Sequence, residues 1–386
     1  MRVGLLIPHF FMHDEIIRDS IFAPGDLAIQ LANDLVKNNV DVTLFSPGFT
    51  HPNQKIKNIN CDLANFKEEL NLRGDTYLGL LKKHPLIFIS LARQAQSELV
   101  AKAFEMANDN ELDLIHVYAC EEEMPLVYSK FCKKPVVFTH HEPFNYQAKY
   151  RNIFPKYKDV NWISISYSQR KSMPKDTNFI ANIYHGLDIK RFYLNANPQG
   201  NYFAYFGRII ESKGVHLAIS AAKKAGVKLK IAGKHYSGYG KEKYWEEKIA
   251  NEIDNQQIEY IGFLNTDEEK QKFLGNANAL IMPSIWDEPF GMVAIESLAC
   301  GTPVIGLNSG AIPEIITDNE NGFIVEKSFL QNGEIDEEII VWNLASKIPH
   351  IQSLQRSQVR ESFEKRFTLE RMAKEHIEIY SRLTCK

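Results

Sequence analysis

"SIWDEPFGMVAIESLACGTPVIGLNSGAIPE" runs from Ser284 to Glu314. Pro289 fits the first position of a helix, where a missing N–H costs little. Asp287 or Glu288 then sits at or before the cap. Val293, Ile295, Leu298 and Ala299 supply an apolar, mostly buried helical face. Gly301 is a natural stop, and Pro303 cannot continue the helix. Val304–Gly306 reads as the next strand. The stretch is therefore a loop, a helix of about three turns and a strand, which is the repeating unit of an α/β protein.

The same alternation extends in both directions. Downstream of "NANPQG" (Asn195–Gly200), Tyr202–Phe206, Leu229–Ala232, Ile258–Gly262 and Ala279–Met282 are short apolar runs with helix-length segments between them. Upstream, Val3–Pro8, Val40–Gly48, Leu112–Val117, Pro135–Thr139, Ile163–Ser166 and Phe179–Ile183 form an earlier series. Short runs without polar alternation mark strands buried on both faces of a parallel sheet. Asn195–Gly200 reads as a linker. The expected architecture is α/β, with two Rossmann-like, doubly wound domains: 1–195, and 196–365. "RFTLERMAKEHIEIYSRL" is an amphipathic helix, and the segment 366–386 is expected to pack back on the first domain. Ligands of such sheets bind at the carboxyl ends of strands, and the cleft between two such domains is the expected site.

Whole-chain properties narrow the function. At 386 residues the chain exceeds one ordinary domain of roughly 100–200 residues. Its 44% hydrophobic and 24% charged content is that of a globular protein. A net charge of −3 argues against nucleic acid as a partner. The segment Arg151–Arg191 holds 8 basic against 3 acidic residues. That patch suits a phosphate, an anionic substrate or a membrane surface, or is a solvated loop face. The cysteines Cys61, Cys120, Cys132, Cys300 and Cys385 are scattered, with no CxxC spacing, so neither a disulfide framework nor a zinc site is expected. "MRVGLLIP" opens directly as a strand, and no apolar run reaches about 18 residues. Neither a signal peptide nor a membrane span is expected, and the location implied is cytoplasmic.

The opening stretch also carries chemistry. N–H groups of Phe290, Gly291 and Met292 would lie unpaired at the helix start, a ready anion site. Gly291 lets a ligand approach the backbone. Glu288 and Glu296 invite a reading as a hydrolytic pair, but eight helical residues span about 12 Å. That exceeds the ~5–9.5 Å such chemistry needs. Two ends of a long ligand suit them better; ordinary cap and surface charge is the bland alternative. "NSGAIPEII" (Asn308–Ile316) repeats the device with a second small loop and Pro313.

Taken together, "EPFGMVAIE", "ACGTPVI" and "GAIPEII" resemble the E-x7-E region of retaining glycosyltransferases with the GT-B fold, family 4. "GRIIESKG" (Gly207–Gly214) matches the strand-end Gly-Arg and following Lys-Gly of that family. "NIYHGLDIKRF" (Asn182–Phe192), "SISYSQR" (Ser164–Arg170) and "VVFTHHEPF" (Val136–Phe144) match further positions. The resemblance runs over nearly the whole chain and is densest from Tyr150 to Glu326. It implies a donor site at Gly207, Arg208, Lys213, Gly233, Glu288, Phe290, Gly291, Met292 and Glu296. Within it, Arg208 and Lys213 hold the donor diphosphate, Glu296 the ribose hydroxyls, and Glu288 lies near the transferred sugar. Lys234 borders the diphosphate beside Gly233. His141, with His140 as its neighbour, corresponds to the histidine that points at the donor sugar. His141, Glu288, Arg208 and Lys213 are the implied catalytic set. His185, Gly186 and Asp188 shape the loop that enters the hinge. Arg170 faces the acceptor, a phosphate or solvent.

The sequence departs from the family twice. Where the family has a Gly-Gly loop, "APGDLA" offers only Gly25, after a long aromatic segment, so the acceptor side is the less transferable. "IAGKHYSGYGKEKYW" is longer than the family's usual turn. The implied reaction is metal-independent transfer from a UDP-, GDP- or ADP-sugar to a glycan, lipid-linked or small-molecule acceptor, with no cofactor. Peripheral contact with the inner membrane face is a further expectation. The rival readings are a GT-B epimerase or phosphorylase, and a non-catalytic sugar-nucleotide-binding protein.

Overall fold

The computed structural model describes residues 1–17, 22–118, 123–235 and 242–385. Cys120, part of the aromatic segment before Gly25 and the middle of the 231–245 loop lie outside them. The chain divides into two units. One comprises Met1–Ile165, Arg170–Ile183 and Leu369–Lys386; the other comprises Ser166–Gln169 and Tyr184–Thr368.

The first unit is built on seven parallel strands. They are β1 (Arg2–Leu6), β2 (Asp41–Ser46), β3 (Lys57–Asn60), β4 (Leu114–Val117), β5 (Val136–Thr139), β6 (Asn161–Ser164) and β7 (Phe179–Asn182), in the order β3-β2-β1-β4-β5-β6-β7. Val3, Leu5 and Leu6 of β1 are fully buried, as a central strand covered on both faces requires. The polar edge strand β3, "KNIN", was invisible to an apolar-run reading. The helix Ala23–Lys37 takes Pro24 into its first turn, where a missing N–H costs little. Gly25 therefore sits inside that helix and not in a loop. A Cβ there would lie 2.7 Å from the Phe22 ring and 2.8 Å from Met12 Sδ.

The C-terminal helix Leu369–Thr384 belongs to this unit and packs on Ala23–Lys37. Its buried residues Leu369, Met372, Ala373, His376, Ile379 and Tyr380 fall at helical spacing on one face. Tyr380 Oη lies 2.6 Å from His116 Nδ1, and His116 Nε2 is 2.8 Å from Thr139 Oγ1. The last helix is thus tied to the carboxyl ends of β4 and β5.

The second unit has six parallel strands: β8 (Phe203–Phe206), β9 (Leu229–Ala232), β10 (Ile258–Gly262), β11 (Leu280–Met282), β12 (Val304–Leu307) and β13 (Gly322–Val325). Their order is β10-β9-β8-β11-β12-β13. The stretch Asn195–Gly200, which reads as a linker, is pinned within this unit. Asn195 N donates to Cys300 O at 3.1 Å, Gln199 N to Asn276 Oδ1 at 3.1 Å, and Arg356 Nε to Asn195 O at 2.6 Å. Such polar loops look like linkers in sequence because their partners are backbone carbonyls, which leave no side-chain signature. Among the described residues no helix is long and apolar enough to cross a membrane.

Candidate functional site

In the second sheet the chain runs outward from β8 through β9 to β10, then returns to β11 on the other side of β8. The carboxyl ends of β8 and β11 therefore flank the switch point, where doubly wound sheets bind ligands. Gly207 ends β8 with φ 155°, and Gly233 ends β9 with φ 155°. A Cβ on Gly233 would fall 1.8 Å from Gly207 O, so only glycine permits this approach of the two strand ends. After β8 the chain makes a short turn, Glu211–Lys213, closed by Gly214 at φ 67°. A Cβ on Gly214 would lie 2.2 Å from Pro283 O, and Ile285 N donates to Ser212 O at 2.9 Å. The loops after β8 and β11 are thereby locked together.

That lock brings Lys213 to Glu288, 75 residues apart in sequence. Lys213 Nζ makes an ion pair with Glu288 Oε1, and Ser284 Oγ donates to the same oxygen at 2.6 Å. The Lys213 ammonium also lies 4.9 Å from the centre of the Trp286 ring. Burial would raise the Glu288 carboxyl, but the Lys213 charge and the hydrogen bonds outweigh it and hold it below the usual carboxylate range. The two partners do not shift alike. Burial pulls the Lys213 ammonium down despite Glu288, and the charge of Arg208 adds to that pull. Two cations therefore sit close together at this strand end. Arg208 is exposed and makes no ion pair among the described residues.

The helix after this loop spans Met292–Ala299, eight residues, with Gly291 at its N-cap. It is shorter than the sequence reading of three turns, and Pro289 lies before it, not at its first position. The reason is Gly291, whose φ of 125° and ψ of 60° break the chain direction between Pro289 and the helix. The N–H groups of Phe290, Gly291 and Met292 make no hydrogen bond among the described residues. The Phe290 side chain is buried against His185, with ring centres 5.0 Å apart, and near Tyr184 and Phe367. Only its backbone is available to a ligand. The helix ends as its sequence indicates, with Gly301 at φ 74° just past Cys300.

The loop Asn308–Ala311 backs this arrangement. Ala311 N donates to Glu288 O at 2.8 Å. Gly310, at φ 58°, lies so close that a Cβ would meet Glu288 O at 2.2 Å and Glu288 N at 2.3 Å. Glu296 is buried in the second turn of the helix, and Lys270 Nζ stands 3.6 Å from its Oε1. Ser284, Trp286 and Lys270 were not singled out from sequence, and Gly310 only as part of the small loop in "NSGAIPEII". Ser284 carried a signal, since it lies two residues past a strand and precedes Glu288 by four residues. Lys270, on a charged surface helix, carried none.

His140, His141, Gly25 and Arg170 belong to the first unit. His140 is fully buried among Phe144, Tyr150 and Phe154, with ring centres 4.7–5.2 Å away, and is a core histidine. His141 is half-buried, and its Nε2–H donates to the Tyr118 carbonyl. That bond fixes the tautomer, leaving Nδ1 as the acceptor. Desolvation drops its pKa to about 4, against the opposing pull of the Tyr118 carbonyl. Arg170 Nε donates to Ser164 Oγ at 2.7 Å, and its guanidinium lies 4.8 Å from the centre of the Phe179 ring. Asp188 Oδ1 accepts from Lys190 N at 2.9 Å, shaping its own turn in the second unit. No group of three or more His, Cys, Asp or Glu that could hold a metal occurs among the described residues.

The two sheets are Rossmann-like and doubly wound, and they define a GT-B-type α/β protein. Residues 188–343 match the family model described as glycosyl transferases group 1. An uncharacterized glycosyltransferase, MJ1178, of Methanocaldococcus jannaschii is 31% identical over 150 residues, covering 38% of this chain and 39% of that protein. A lipopolysaccharide 1,2-N-acetylglucosaminetransferase of Salmonella typhimurium is 30% identical over 145 residues, covering 35% and 38% respectively. The chain thus matches less than half the length of these curated relatives. Among solved structures, Anabaena Alr3699/HepE in complex with UDP superposes with a TM-score of 0.67 at 19% identity, covering 99% of this chain and 100% of that one. Sucrose-phosphate synthase of Thermosynechococcus elongatus gives 0.71 at 16% identity, covering 100% and 99%. At these identities the structures share the fold.

Proposed function

We propose that the chain is a retaining glycosyltransferase that moves a sugar from a nucleoside-diphosphate sugar to a hydroxyl acceptor. The observation that carries this reading is the switch point of the second sheet. There two cations, Arg208 and Lys213, stand beside unpaired N–H groups of a glycine-opened helix start. A diphosphate needs both charge and directed donors, and both converge here. Gly207 and Gly233 leave room for its oxygens at the strand ends. Glu296 takes the ribose hydroxyls, and Glu288 lies near the transferred sugar together with the backbone of Phe290, Gly291 and Met292. His141 is assigned a role toward the transferred sugar, and Gly25 and Arg170 a role in the framework of the first unit.

In the reaction the acceptor oxygen bonds to the anomeric carbon while the bond from that carbon to phosphate breaks. The electron pair leaves with the diphosphate, and the acceptor proton passes to a phosphate oxygen on the same face, so configuration is retained. Arg208, Lys213 and the helix N–H groups stabilise charge that grows on the leaving group, so they act chiefly in the transition state. These cations do the work that a divalent metal does elsewhere. The UDP in the Anabaena structure and the name of the Salmonella relative favour a UDP-sugar donor and a glycan or lipid-linked acceptor. A lipid-linked acceptor would place the protein at the inner membrane face.

Thermal shift with UDP, GDP and ADP, followed by assays of nucleoside diphosphate release with and without acceptors, tests the proposal. Arg208→Ala is expected to lower kcat about 100- to 1000-fold, the loss typical of one oxyanion-stabilising donor. Normal transfer by that variant would sink the assignment. Isomerisation without acceptor would point to an epimerase, a pyridoxal absorbance to a phosphorylase, and nucleotide binding without release to a binding protein.

A further inference from the structure

We propose that Trp286 is a positioning residue: the face of its indole holds the Lys213 ammonium in place for the donor diphosphate. The inference deepens the donor-site reading above and rests on it. The Lys213 ammonium lies 4.9 Å from the centre of the Trp286 ring, within the range of a cation–π attraction. Backbone bonds fix the two residues relative to each other. Trp286 N donates to Ser212 O at 3.3 Å, and Ile285 N donates to the same oxygen at 2.9 Å. The loop that carries the ring is thus tied to the residue next to Lys213. On its other side, Ser309 Oγ donates to Trp286 O. The indole also supports the partner of the ammonium. Burial would raise the Glu288 carboxyl, and the Lys213 charge with hydrogen bonds from Lys213, Ser284 and Trp286 holds it down. One side chain therefore serves both members of the ion pair, its face for Lys213 and its N–H for Glu288.

An aromatic ring suits this place for a physical reason. An ammonium has three donors. Glu288 Oε1 takes one, and the Lys213 side chain is only 15% exposed, so little water is at hand for the others. Burial works against the charged form of Lys213, as does the charge of Arg208. A second carboxylate in place of Trp286 would restrain the ammonium, but it would cancel the charge and repel a diphosphate. A neutral ring attracts the cation through its quadrupole and brings no negative charge into the site. The attraction is stronger where water is excluded. A cation already held in place also loses less freedom when the diphosphate arrives. Trp286 thus raises affinity for the diphosphate, although it need not touch the ligand.

Fluorinated tryptophans placed at position 286 alone, among the four tryptophans of the chain, test this. Successive ring fluorines drain negative potential from the face while changing its shape little. Calorimetric titration of the full chain with UDP, GDP and ADP first identifies the nucleotide that wild type binds. Affinity for it is expected to fall stepwise along the mono-, di-, tri- and tetrafluoro series, by about tenfold in all. Fluorination makes the indole N–H a stronger donor, so a role through Glu288 alone would leave affinity level or raise it. Trp286→Phe keeps a weaker face and Trp286→Leu keeps none, while both lose the N–H. The Phe variant should therefore bind about threefold or more tightly than the Leu variant. Thermal unfolding without nucleotide checks that each protein is folded. A flat or rising fluoro series in folded protein overturns the inference, and so does equal binding by the Phe and Leu variants. Wild type that binds none of the nucleotides overturns the donor-site reading and this inference with it.

Discussion

At the residue scale the Lys213–Glu288 pair sets the character of the site, and its stability cost can be measured. Both side chains are largely buried, at 15% and 6% exposure. Removing one partner strands the other, which typically costs 3–5 kcal/mol. Lys213→Met is therefore expected to lower the unfolding free energy of the second unit by about 3 kcal/mol or more. Adding Glu288→Gln should recover much of it without restoring activity; a neutral single variant in urea titration would show that the pair is solvated. The pH dependence has a definite sign. Glu288 is held below 4.5, so the stability it contributes is present above pH 4.5 and is lost as pH falls through its folded value. Lys213 is held below 10.5, so its burial penalty is relieved as pH rises through its lowered value toward 10.5. Both residues were legible from sequence as candidates, Lys213 as an expected phosphate ligand and Glu288 as an expected sugar ligand. Their mutual pairing was not, because it depends on the close approach of Gly214 to Pro283 O.

Secondary structure elements show the same division. Buried strands were legible because each is a short unbroken apolar run. The edge strand β3 was not, because an exposed edge tolerates polar residues, and neither was the short β13. The helix after Glu288 was placed too early because Pro289 imitates a first-turn proline while Gly291 delays the helix. Gly310 illustrates how loops carry the site. Gly310→Ala is expected to cost more than about 2 kcal/mol, since the positive φ alone costs about 1–2 and a Cβ would strike the Glu288 backbone. Gly74 has nearly the same φ, 59°, with nothing within 4 Å. Gly74→Ala should therefore cost only the conformational part, and equal losses in urea titrations of the two would remove the steric argument. The C-terminal helix supplies a second test. Burial lowers His376 to about 4, with the Met372 carbonyl opposing and the charges of Arg371 and His141 adding to the fall. His116, Tyr118 and Tyr380 pack against the same ring. A folded value below the unfolded 6.5 means the unfolded chain binds the proton first, so stability falls as pH drops from 6.5 to 4. The displacement is worth roughly 3 kcal/mol. Urea midpoints from pH 7 to 4.5 should decline less steeply in His376→Met; an identical decline would exonerate this histidine.

For the whole molecule, the division into two units predicts where a ligand acts. Every group assigned to the nucleotide lies in 184–368: Gly207, Arg208, Lys213, Gly233, Phe290, Gly291, Met292 and Glu296. The family match covers most of the same region, whereas the first unit rests on fold likeness alone. That asymmetry has a physical origin. A diphosphate constrains glycines, cations and helix starts in recognisable spacings, while an acceptor can be met by many side-chain sets. A nucleoside diphosphate should stabilise the unit it binds by RT ln(1 + [L]/Kd), about 2.7 kcal/mol at a hundredfold excess over Kd. Hydrogen exchange on the full chain can read this segment by segment. Slower exchange is expected first at the amides of Gly291 and Met292, which gain an acceptor, and at Gly207–Gly214. The strands β8, β9, β11 and β12 should follow as the stability of their unit rises. Exchange in β1–β7 should change less, since none of their residues carries a nucleotide role. Protection centred on His141 and the β4–β5 ends instead would place the nucleotide in the other unit and overturn the assignment of Arg208, Lys213 and Glu296.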